Sequence, residues 1–400
     1  MTQTKEILWG RGSNINQQNG GKPELVFWFD APPRAGSGVF RFVAQEWGSN
    51  VYYICIRQLR QERRIGGWGD CNHGQAQITI LEEEPDPDRF VRDFIQQHNG
   101  AIHICNGLRS LTTPYIKKHL FSNPNAQIAV WSERPGVYGN VMKKYIRTVG
   151  LPLMYRYYAL FYGGRIGAYL PLGKLGVDTF VGFGWNPERL FPFMYVPEAP
   201  KELPEPLTNA EGTLRLLYVG RFARSTKGID ILINAINGIK GDSWRLDLVG
   251  GYGEFKDATI NWAENNPNVC FRGIWPSDEI CKRITQYDVC IVPSRFDGWN
   301  VVINEALSAG VGVISTDAAV SNELVEASGA GMVVPAGEVE ALGQAIQMVI
   351  DNPGLADSWK VKAKAYSPRI RPESVGNYLI DVLEFTFIDP TRPRPVCPWL

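Results

Sequence analysis

Two acidic residues, Asp297 and Glu305, frame a loop and the first turns of a predicted helix. The apolar run 289–292 predicts a strand, a loop with Gly298 follows it, and the helix is predicted to begin near Trp299. Eight residues of helix rise about 12 Å. Two carboxylates at that separation could hold the two ends of a sugar nucleotide, while the helix N-terminus between them faces its diphosphate.

Two cations, Arg221 and Lys227, lie between a strand predicted over 214–219 and a helix predicted over 228–239. A guanidinium can donate two parallel hydrogen bonds to phosphate oxygens, and an ammonium adds a compact positive charge. Arg224 lies between them, so the sequence leaves open whether Arg224 or Lys227 supplies the second charge. A pair of solvated surface cations is the alternative interpretation.

The run 248–254, Leu-Val-Gly-Gly-Tyr-Gly-Glu, predicts a glycine-rich turn from a strand into a helix. A nicotinamide-binding turn would be followed about 20 residues later by an acid that binds the ribose. Residues 270–273 are Cys-Phe-Arg-Gly and include no acid. The turn therefore disfavours a nicotinamide dehydrogenase.

Strand-like and helical runs alternate through both halves of the chain, which indicates parallel sheets with crossover helices. Four prolines in residues 197–206 indicate a linker between the halves. We therefore predict an α/β protein of two Rossmann-like, doubly wound domains that face a central cleft. The predicted strands cover 25–29, 51–56, 102–105, 128–131, 214–219, 246–249, 269–272, 288–292 and 312–315.

The order of these motifs resembles retaining GT-B glycosyltransferases of family 4 (glycosyltransferase group 1). The resemblance is strong over residues 214–340 and loose in the first half. It differs at two positions, because the family usually has Glu where this chain has Asp297 and often has Gly where it has Asn300. It implies an acceptor-binding domain over 1–200 and a donor domain over 201–374. It also implies a helix over 375–385 that crosses back onto the first domain, and a tail over 386–400.

The resemblance implies that Asp297, Arg221 and Lys227 are catalytic, with Asp297 on hydroxyls of the transferred sugar. It places Glu305 on the ribose hydroxyls and the backbone N–H groups of Gly298, Trp299 and Asn300 on the diphosphate. The remaining donor-binding residues that it implies are Gly220, Gly251, Gly253, Arg272 and Ile274 in the second half, and Gly36 and Gly38 in the first.

Candidate acceptor residues follow the strands of the first half. Ser132 and Glu133 come directly after the strand over 128–131, where some members of the resembled family have a histidine. Glu133 could instead belong to an ordinary salt-bridged loop. His103 is a third candidate, with a core histidine as the alternative.

Basic and aromatic residues interleave over 143–165, from Lys143, Lys144 and Tyr145 to Arg165. The pattern fits either a connecting helix with cationic rims or an interfacial membrane patch that would suit a lipid-linked acceptor. The first 200 residues hold 22 Lys and Arg against 16 Asp and Glu, which weakly favours an anionic partner there.

Composition narrows the function classes. The net charge is zero and no nucleic-acid-binding motif occurs, which argues against nucleic-acid binding. The polar start of the chain and the absence of 18 consecutive apolar residues predict neither a secretory signal nor a membrane span. Seven cysteines, an odd number without a Cys-x-x-Cys pair, fit a cytoplasmic protein. Asp86-Pro87-Asp88 predicts a helix start rather than a metal site.

The expected activity is transfer of a hexose from a UDP-, GDP- or dTDP-sugar to a glycan or lipid-linked acceptor, in surface polysaccharide or glycoconjugate synthesis. The resemblance implies retention of anomeric configuration by front-face displacement, without a metal or other cofactor. The alternatives are a non-catalytic sugar-nucleotide-binding protein and a GT-B-fold phosphorylase or epimerase. The expected location is the cytoplasm, with peripheral contact at the inner face of the membrane as a further expectation.

Overall fold

The computed structural model describes residues 21–65, 67, 69, 72–109, 113–136, 146–198, 200, 202–204 and 212–400. The predictions for the polar start of the chain, for Lys143, Lys144 and Tyr145, and for linker residues 199, 201, 205 and 206 lie outside these ranges. Within them the chain forms two parallel sheets flanked by helices, which confirms the predicted GT-B architecture.

The first sheet has the strand order β3-β2-β1-β4-β5-β6, all parallel. Its central strands β1 and β4 are buried on both faces, as expected where helices cover both sides of a sheet. The strands are β1 (Leu25–Phe29), β2 (Val51–Cys55), β3 (Gln77–Ile80), β4 (Ile102–Asn106), β5 (Gln127–Ser132) and β6 (Ile166–Pro171). The helices are α1 (Ser37–Glu46), α2 (Gln61–Ile65), α3 (Pro87–Gln97), α4 (Thr113–Tyr115), α5 (Leu151–Tyr162) and α6 (Gly173–Gly182).

The second sheet has the order β12-β11-β10-β7-β8-β9, again parallel. Its strands are β7 (Leu214–Val219), β8 (Trp244–Val249), β9 (Val269–Phe271), β10 (Val289–Val292), β11 (Gly312–Thr316) and β12 (Gly331–Val334). Its first helices are α7 (Arg224–Lys227), α8 (Ile229–Asn237), α9 (Lys256–Glu264), α10 (Ile280–Ile284) and α11 (Val301–Ser308). They are followed by α12 (Asn322–Ser328), α13 (Val339–Asp351), α14 (Pro353–Tyr366) and α15 (Pro372–Phe387).

The predicted helix start at Asp86-Pro87-Asp88 is confirmed. The Asp86 carboxylate accepts a hydrogen bond from the Arg89 backbone N–H at 3.0 Å, and Pro87 occupies the first helical position. None of the helices in the described part of the chain is both long enough and apolar enough to span a bilayer.

The last helix, α15, returns to the first half of the chain and packs against α1. A Cβ at Gly376 would lie 2.3 Å from the Phe42 ring, and one at Gly38 would lie 2.8 Å from Pro372. Side chains larger than hydrogen would push these helices apart. The crossing therefore depends on two glycines, one on each helix.

Beyond α15, the end of the chain packs between the two domains through Trp399, which is fully buried. Its indole N–H donates to Glu323 Oε1 at 3.1 Å, and its carbonyl accepts from the Tyr366 hydroxyl at 2.6 Å. Glu323 Oε2 also accepts from the backbone N–H of Lys174, at the start of α6 in the first half, at 2.6 Å. Burial raises the pKa of Glu323 to about 7. One carboxylate thus joins both domains and the tail.

Replacing Trp399 with Ala should lower the free energy of unfolding by about 3–5 kcal/mol, the usual cost of removing a buried Trp side chain. Denaturant unfolding monitored by circular dichroism would measure it. The matched control is Val396→Ala on the same tail, where the side chain is 86% exposed and little change is expected. A loss below about 1 kcal/mol for Trp399→Ala would contradict a stabilising role for the tail.

Candidate functional site

The loop after β10 is fastened to α7 by main-chain contacts. The backbone N–H groups of Arg295 and Phe296 both donate to the carbonyl of Thr226, at 2.8 and 3.1 Å. Gly228 ends α7 with φ of +64°, and a Cβ there would lie 2.0 Å from the Pro293 carbonyl oxygen. Only glycine fits this position. The two segments that carry the predicted cation and acid are thus held side by side.

Lys227, and not Arg224, is the cation beside the predicted catalytic acid. The Lys227 ammonium donates to Asp297 Oδ2, and the Asn300 amide donates to the same oxygen at 2.9 Å. Both contacts use Oδ2, which leaves Oδ1 to accept hydrogen bonds from a ligand. The Arg224 guanidinium lies over the Phe255 ring instead, 5.2 Å from its centroid.

The structure at the N-terminus of α11 differs from the expected diphosphate contact at Asn300. Asn300 is the N-cap: its side chain accepts from the Val302 N–H at 3.1 Å, and its own N–H donates to the Ser321 hydroxyl at 3.1 Å. That N–H is therefore committed, so Asn300 cannot offer it to a phosphate. Within the described residues, the N–H groups of Gly298 and Trp299 have no acceptor. The Trp299 side chain is buried, so only its backbone faces the site.

Glu305 lies on α11 as a buried carboxylate with one unsatisfied oxygen. Its Oε2 accepts no hydrogen bond from the described residues, although the side chain is 5% exposed. Burial raises its pKa to about 8, and the positive charge of Arg34 opposes that rise. Arg34 comes from the first domain and reaches across the cleft, where its Nε donates to Ser277 Oγ at 2.9 Å. A ligand that donates hydroxyl hydrogens would satisfy the free oxygen.

Glu133 meets this site from the first domain. A Cβ at Gly298 would lie 2.1 Å from Glu133 Oε2, so the two residues are in direct contact across the cleft. The Tyr195 hydroxyl donates to Glu133 Oε1 at 3.4 Å. The pKa of Glu133 is raised, chiefly because protein atoms displace water around it and further by the negative charge of Asp297. Ser132 supports the turn, since its hydroxyl donates to the Glu133 carbonyl at 2.9 Å.

The predicted glycine turns pack against one another below the cleft. Gly253 has φ of +126°, and a Cβ there would lie 2.4 Å from the Phe222 carbonyl oxygen. A Cβ at Gly251 would lie 2.6 Å from the Ile274 side chain, and the Gly220 N–H donates to Val249. The loops after β7, β8 and β9 therefore lie together, as expected for a ligand site at the carboxyl ends of parallel strands.

Two arginines in these loops differ in their freedom. Arg221 is exposed and forms no ion pair with any described residue, and its carbonyl accepts from the Tyr218 hydroxyl at 2.7 Å. The Arg272 guanidinium is held by Asp247, with 2.7 Å between Nε and Oδ2. Arg272 can therefore contribute to a base site through its backbone, while the side chain of Ile274 is partly exposed beside it.

Gly38 does not face the donor site. Its N–H donates to the Val196 carbonyl at 3.2 Å, and a Cβ would lie 2.5 Å from the Pro197 carbonyl oxygen. It therefore serves the packing of the interdomain linker, and its assignment to donor binding is wrong. Gly36 caps α1 against the Phe40 ring, and its role toward a donor stays a prediction.

His103 is a core residue rather than an acceptor contact. Its ring is 1% exposed, and its Nδ1 accepts from the Trp28 indole N–H at 3.2 Å. Burial lowers its pKa to about 3, so it is neutral. It lies near the start of β4, whereas the site is built beyond the strand ends, so its assignment to acceptor binding is wrong.

Sequence reasoning missed several cleft residues. Arg34 lies five residues after the end of β1. Ligands of parallel sheets bind beyond the carboxyl ends of the strands, so this position could have indicated Arg34. Tyr195 follows no predicted strand and gave no signal. The sequence also gave no sign of the contact between Phe296 and Gly136. A Cβ at Gly136 would lie 2.2 Å from the Phe296 ring. Among the described residues no cluster of three His, Cys, Asp or Glu side chains could hold a metal ion.

Comparison with known sequences finds similarity over the second domain. The sequence model of the glycosyl transferases group 1 family matches residues 213–352. WcaL of Escherichia coli, named as a colanic acid biosynthesis glycosyltransferase, is 27% identical over 185 residues, which cover 44% of this chain and 45% of WcaL. The chain thus matches less than half the length of this curated relative.

Solved structures extend the similarity of fold to nearly the whole chain. Sucrose-phosphate synthase from Thermosynechococcus elongatus superposes with a TM-score of 0.66 at 16% identity, over 90% of this chain and 97% of the other. HepE of Anabaena, solved with UDP and glucose, gives 0.67 at 14% identity, over 91% and 100%. At such identities the likeness concerns the fold.

Glu305→Gln should stabilise the protein at high pH. The pKa of Glu305 is about 8 in the folded state, against its ordinary value of 4.5, so the folded protein keeps a proton that the unfolded chain releases between these two values. The stability that the protonated group contributes is present below about pH 4.5 and lost as pH rises through about 8. Glutamine removes this dependence.

Thermal unfolding from pH 5 to 9 should show that the melting temperature of the variant rises relative to that of wild type as the pH rises. Glu340→Gln, at an exposed glutamate, is the control; a constant difference would contradict the burial argument.

Proposed function

We propose that this chain transfers a hexose from a nucleotide-diphosphate sugar to a glycan or lipid-linked acceptor, because its residues 213–352 match the model of the glycosyl transferases group 1 family. The single observation that carries the proposal is the arrangement along α11. It has an unsatisfied buried carboxylate at Glu305, unpaired N–H groups at Gly298 and Trp299, and an acid held by a lysine at Asp297. Each of these groups suits one part of the donor: Glu305 suits the ribose, the two N–H groups suit the diphosphate, and Asp297 suits the sugar.

The donor is bound from its nucleotide end to its sugar end along α11. Ribose hydroxyls donate to Glu305, which then no longer leaves an unsatisfied oxygen in a dry site. The diphosphate accepts from the backbone N–H groups of Gly298 and Trp299 and from Arg221. Asp297 Oδ1 accepts from hydroxyls of the hexose. Proteins of similar fold were solved with UDP or UDP-glucose. UDP is therefore the first nucleotide to test, followed by GDP and dTDP.

The reaction that we propose breaks the bond between the anomeric carbon and the diphosphate oxygen. Negative charge then grows on the leaving diphosphate, and Arg221, Lys227 and the α11 N-terminus stabilise it without reorganisation. The acceptor hydroxyl attacks from the side that the diphosphate leaves, so configuration is retained. Its proton passes to a departing phosphate oxygen. In this proposal no metal takes part in the step.

Glu133 is the proposed acceptor contact. It touches Gly298 across the cleft and lies close enough to Asp297 for the charge of Asp297 to raise its pKa. A carboxyl at this position can hydrogen-bond an acceptor hydroxyl and orient it toward the anomeric carbon. The process that we propose is surface polysaccharide or glycoconjugate synthesis. It would take place in the cytoplasm, with peripheral contact at the inner face of the membrane.

The ribose contact predicts discrimination between UDP and 2′-deoxy-UDP. Removal of the 2′-hydroxyl leaves a buried oxygen of Glu305 without a partner, which costs about 1–3 kcal/mol, so wild type should prefer UDP by roughly 5–150-fold. Glu305→Gln should bind UDP more weakly and lose most of that preference. Calorimetric titration would measure both, with Glu340→Gln as control. Equal preference in Glu305→Gln and wild type would refute the ribose assignment, and no binding of UDP, GDP or dTDP would favour a different activity.

The position of Lys227 predicts unequal effects for two neighbouring cations. Lys227→Met keeps the aliphatic stem but removes the charge, and kcat should fall by roughly 10²–10³. Arg224→Ala should stay within about threefold of wild type, because its guanidinium lies over Phe255. Nucleotide release in the presence of acceptor would measure the rate, and proton NMR of the product would report the anomeric configuration. Comparable losses in the two variants would contradict this assignment, and an inverted product would contradict retention.

A further inference from the structure

An exposed apolar stripe runs along the outside of the helical segment 146–162. A π-helical turn over Ile146–Gly150 continues directly into α5. The inner face of α5 is buried through Leu151, Tyr155 and Tyr158. The outer face is also apolar, and Leu160 is 79% exposed. The residues of this outer stripe are Ile146, Val149, Leu153, Tyr157, Leu160 and Phe161.

The spacing of the outer stripe is that of one helix face. Its members follow one another mostly at intervals of three and four residues, which places them side by side along the segment. Scattered exposed apolar residues are ordinary on a protein surface, but a continuous row is typical of an interaction site. The structure therefore assigns the stripe a partner.

The stripe lies in a stretch of sequence whose charged residues are all basic. No Asp or Glu occurs from residue 134 to residue 177, while seven Lys or Arg do. Arg156 is exposed, lies between Leu153 and Leu160 in sequence, and forms no ion pair with any described residue. Lys117 lies on the neighbouring segment over the Tyr158 ring, 4.6 Å from its centroid. An apolar row with cations and aromatic rings beside it fits the interface of an anionic bilayer.

The stripe is connected to the cleft through a short path. Arg147, next to the first residue of the stripe, donates from Nη1 to the Gly136 carbonyl at 2.9 Å. Gly136 lies against the Phe296 ring, and Phe296 precedes the proposed catalytic Asp297. Glu133 belongs to the same loop as Gly136. A surface bound by the stripe would thus lie near the acceptor side of the site.

We propose that the outer stripe binds the surface of an anionic lipid bilayer and brings a lipid-linked acceptor to the loop that contains Glu133. The acceptor part of this proposal rests on the proposed glycosyl transfer, whereas the bilayer contact does not. The apolar side chains enter the region between head groups and acyl chains, and Arg156 remains among the anionic head groups. A second copy of this chain is the competing occupant.

Co-sedimentation with vesicles tests the contact without any glycosyl transfer. One vesicle set is phosphatidylcholine alone, and the other contains about 30% phosphatidylglycerol. Wild type should sediment with the anionic set, and Leu160→Ser/Phe161→Ser should lower the partition coefficient at least about tenfold. Arg156→Glu should reduce binding to anionic vesicles selectively. Val361→Ser is the matched control, since Val361 is a 71% exposed apolar residue of the second domain.

Two results would overturn the proposal. One is wild type that stays in the supernatant with both vesicle sets. The other is a dimer in light scattering that Leu160→Ser/Phe161→Ser converts to a monomer, which would assign the stripe to a second copy. UDP binding by the same variants separates the two proposals. Vesicle binding without nucleotide binding would remove the transferase function and keep the surface, and nucleotide binding without vesicle binding would do the reverse.

Discussion

The fastening of α7 to the loop after β10 is the constraint on which the site depends. Thr226 accepts two main-chain hydrogen bonds from that loop, and Gly228 allows a Pro293 carbonyl to approach where a side chain would stand. Because both segments follow parallel strands of one sheet, their ends are already neighbours. The fastening turns this proximity into a fixed distance, so the Lys227 ammonium meets Asp297. Preorganisation of this kind stabilises developing charge without a cost at the moment of reaction.

The same site contains polar groups that lower the stability of the fold. Glu305 carries an unsatisfied oxygen in a dry position, and Gly298 and Trp299 present unpaired N–H groups. Buried polar groups without partners lower the stability of a fold unless a ligand completes them. A ligand that completed these hydrogen bonds would raise the free energy of unfolding, which is a common relation between function and stability.

Local chemistry made the fold and half of the site predictable. Apolar runs bounded by Gly and Pro located β7 at its observed residues, and Asp86 with Pro87 located the start of α3. The sequence left open whether Arg224 or Lys227 is the second cation of the site, because one turn of chain decides which of the two lies toward Asp297. Long-range packing lay beyond the sequence. Gly38 belongs to a glycine loop that predicted a ligand contact, but it packs against Pro197 of the linker. Tyr195 contacts Glu133, and no sequence pattern around Tyr195 indicated that contact.

Glu323 accepts hydrogen bonds from α6 of the first domain and from Trp399 of the tail, so the two contacts share one carboxylate. Contacts that share a group are thermodynamically linked, and the linkage is reciprocal. Whatever factor the docked tail adds to the stability of the contact between Glu323 and α6, that contact adds to the docking of the tail. The last residues of the chain are in this sense coupled to the contact between the two domains, because one carboxylate serves both.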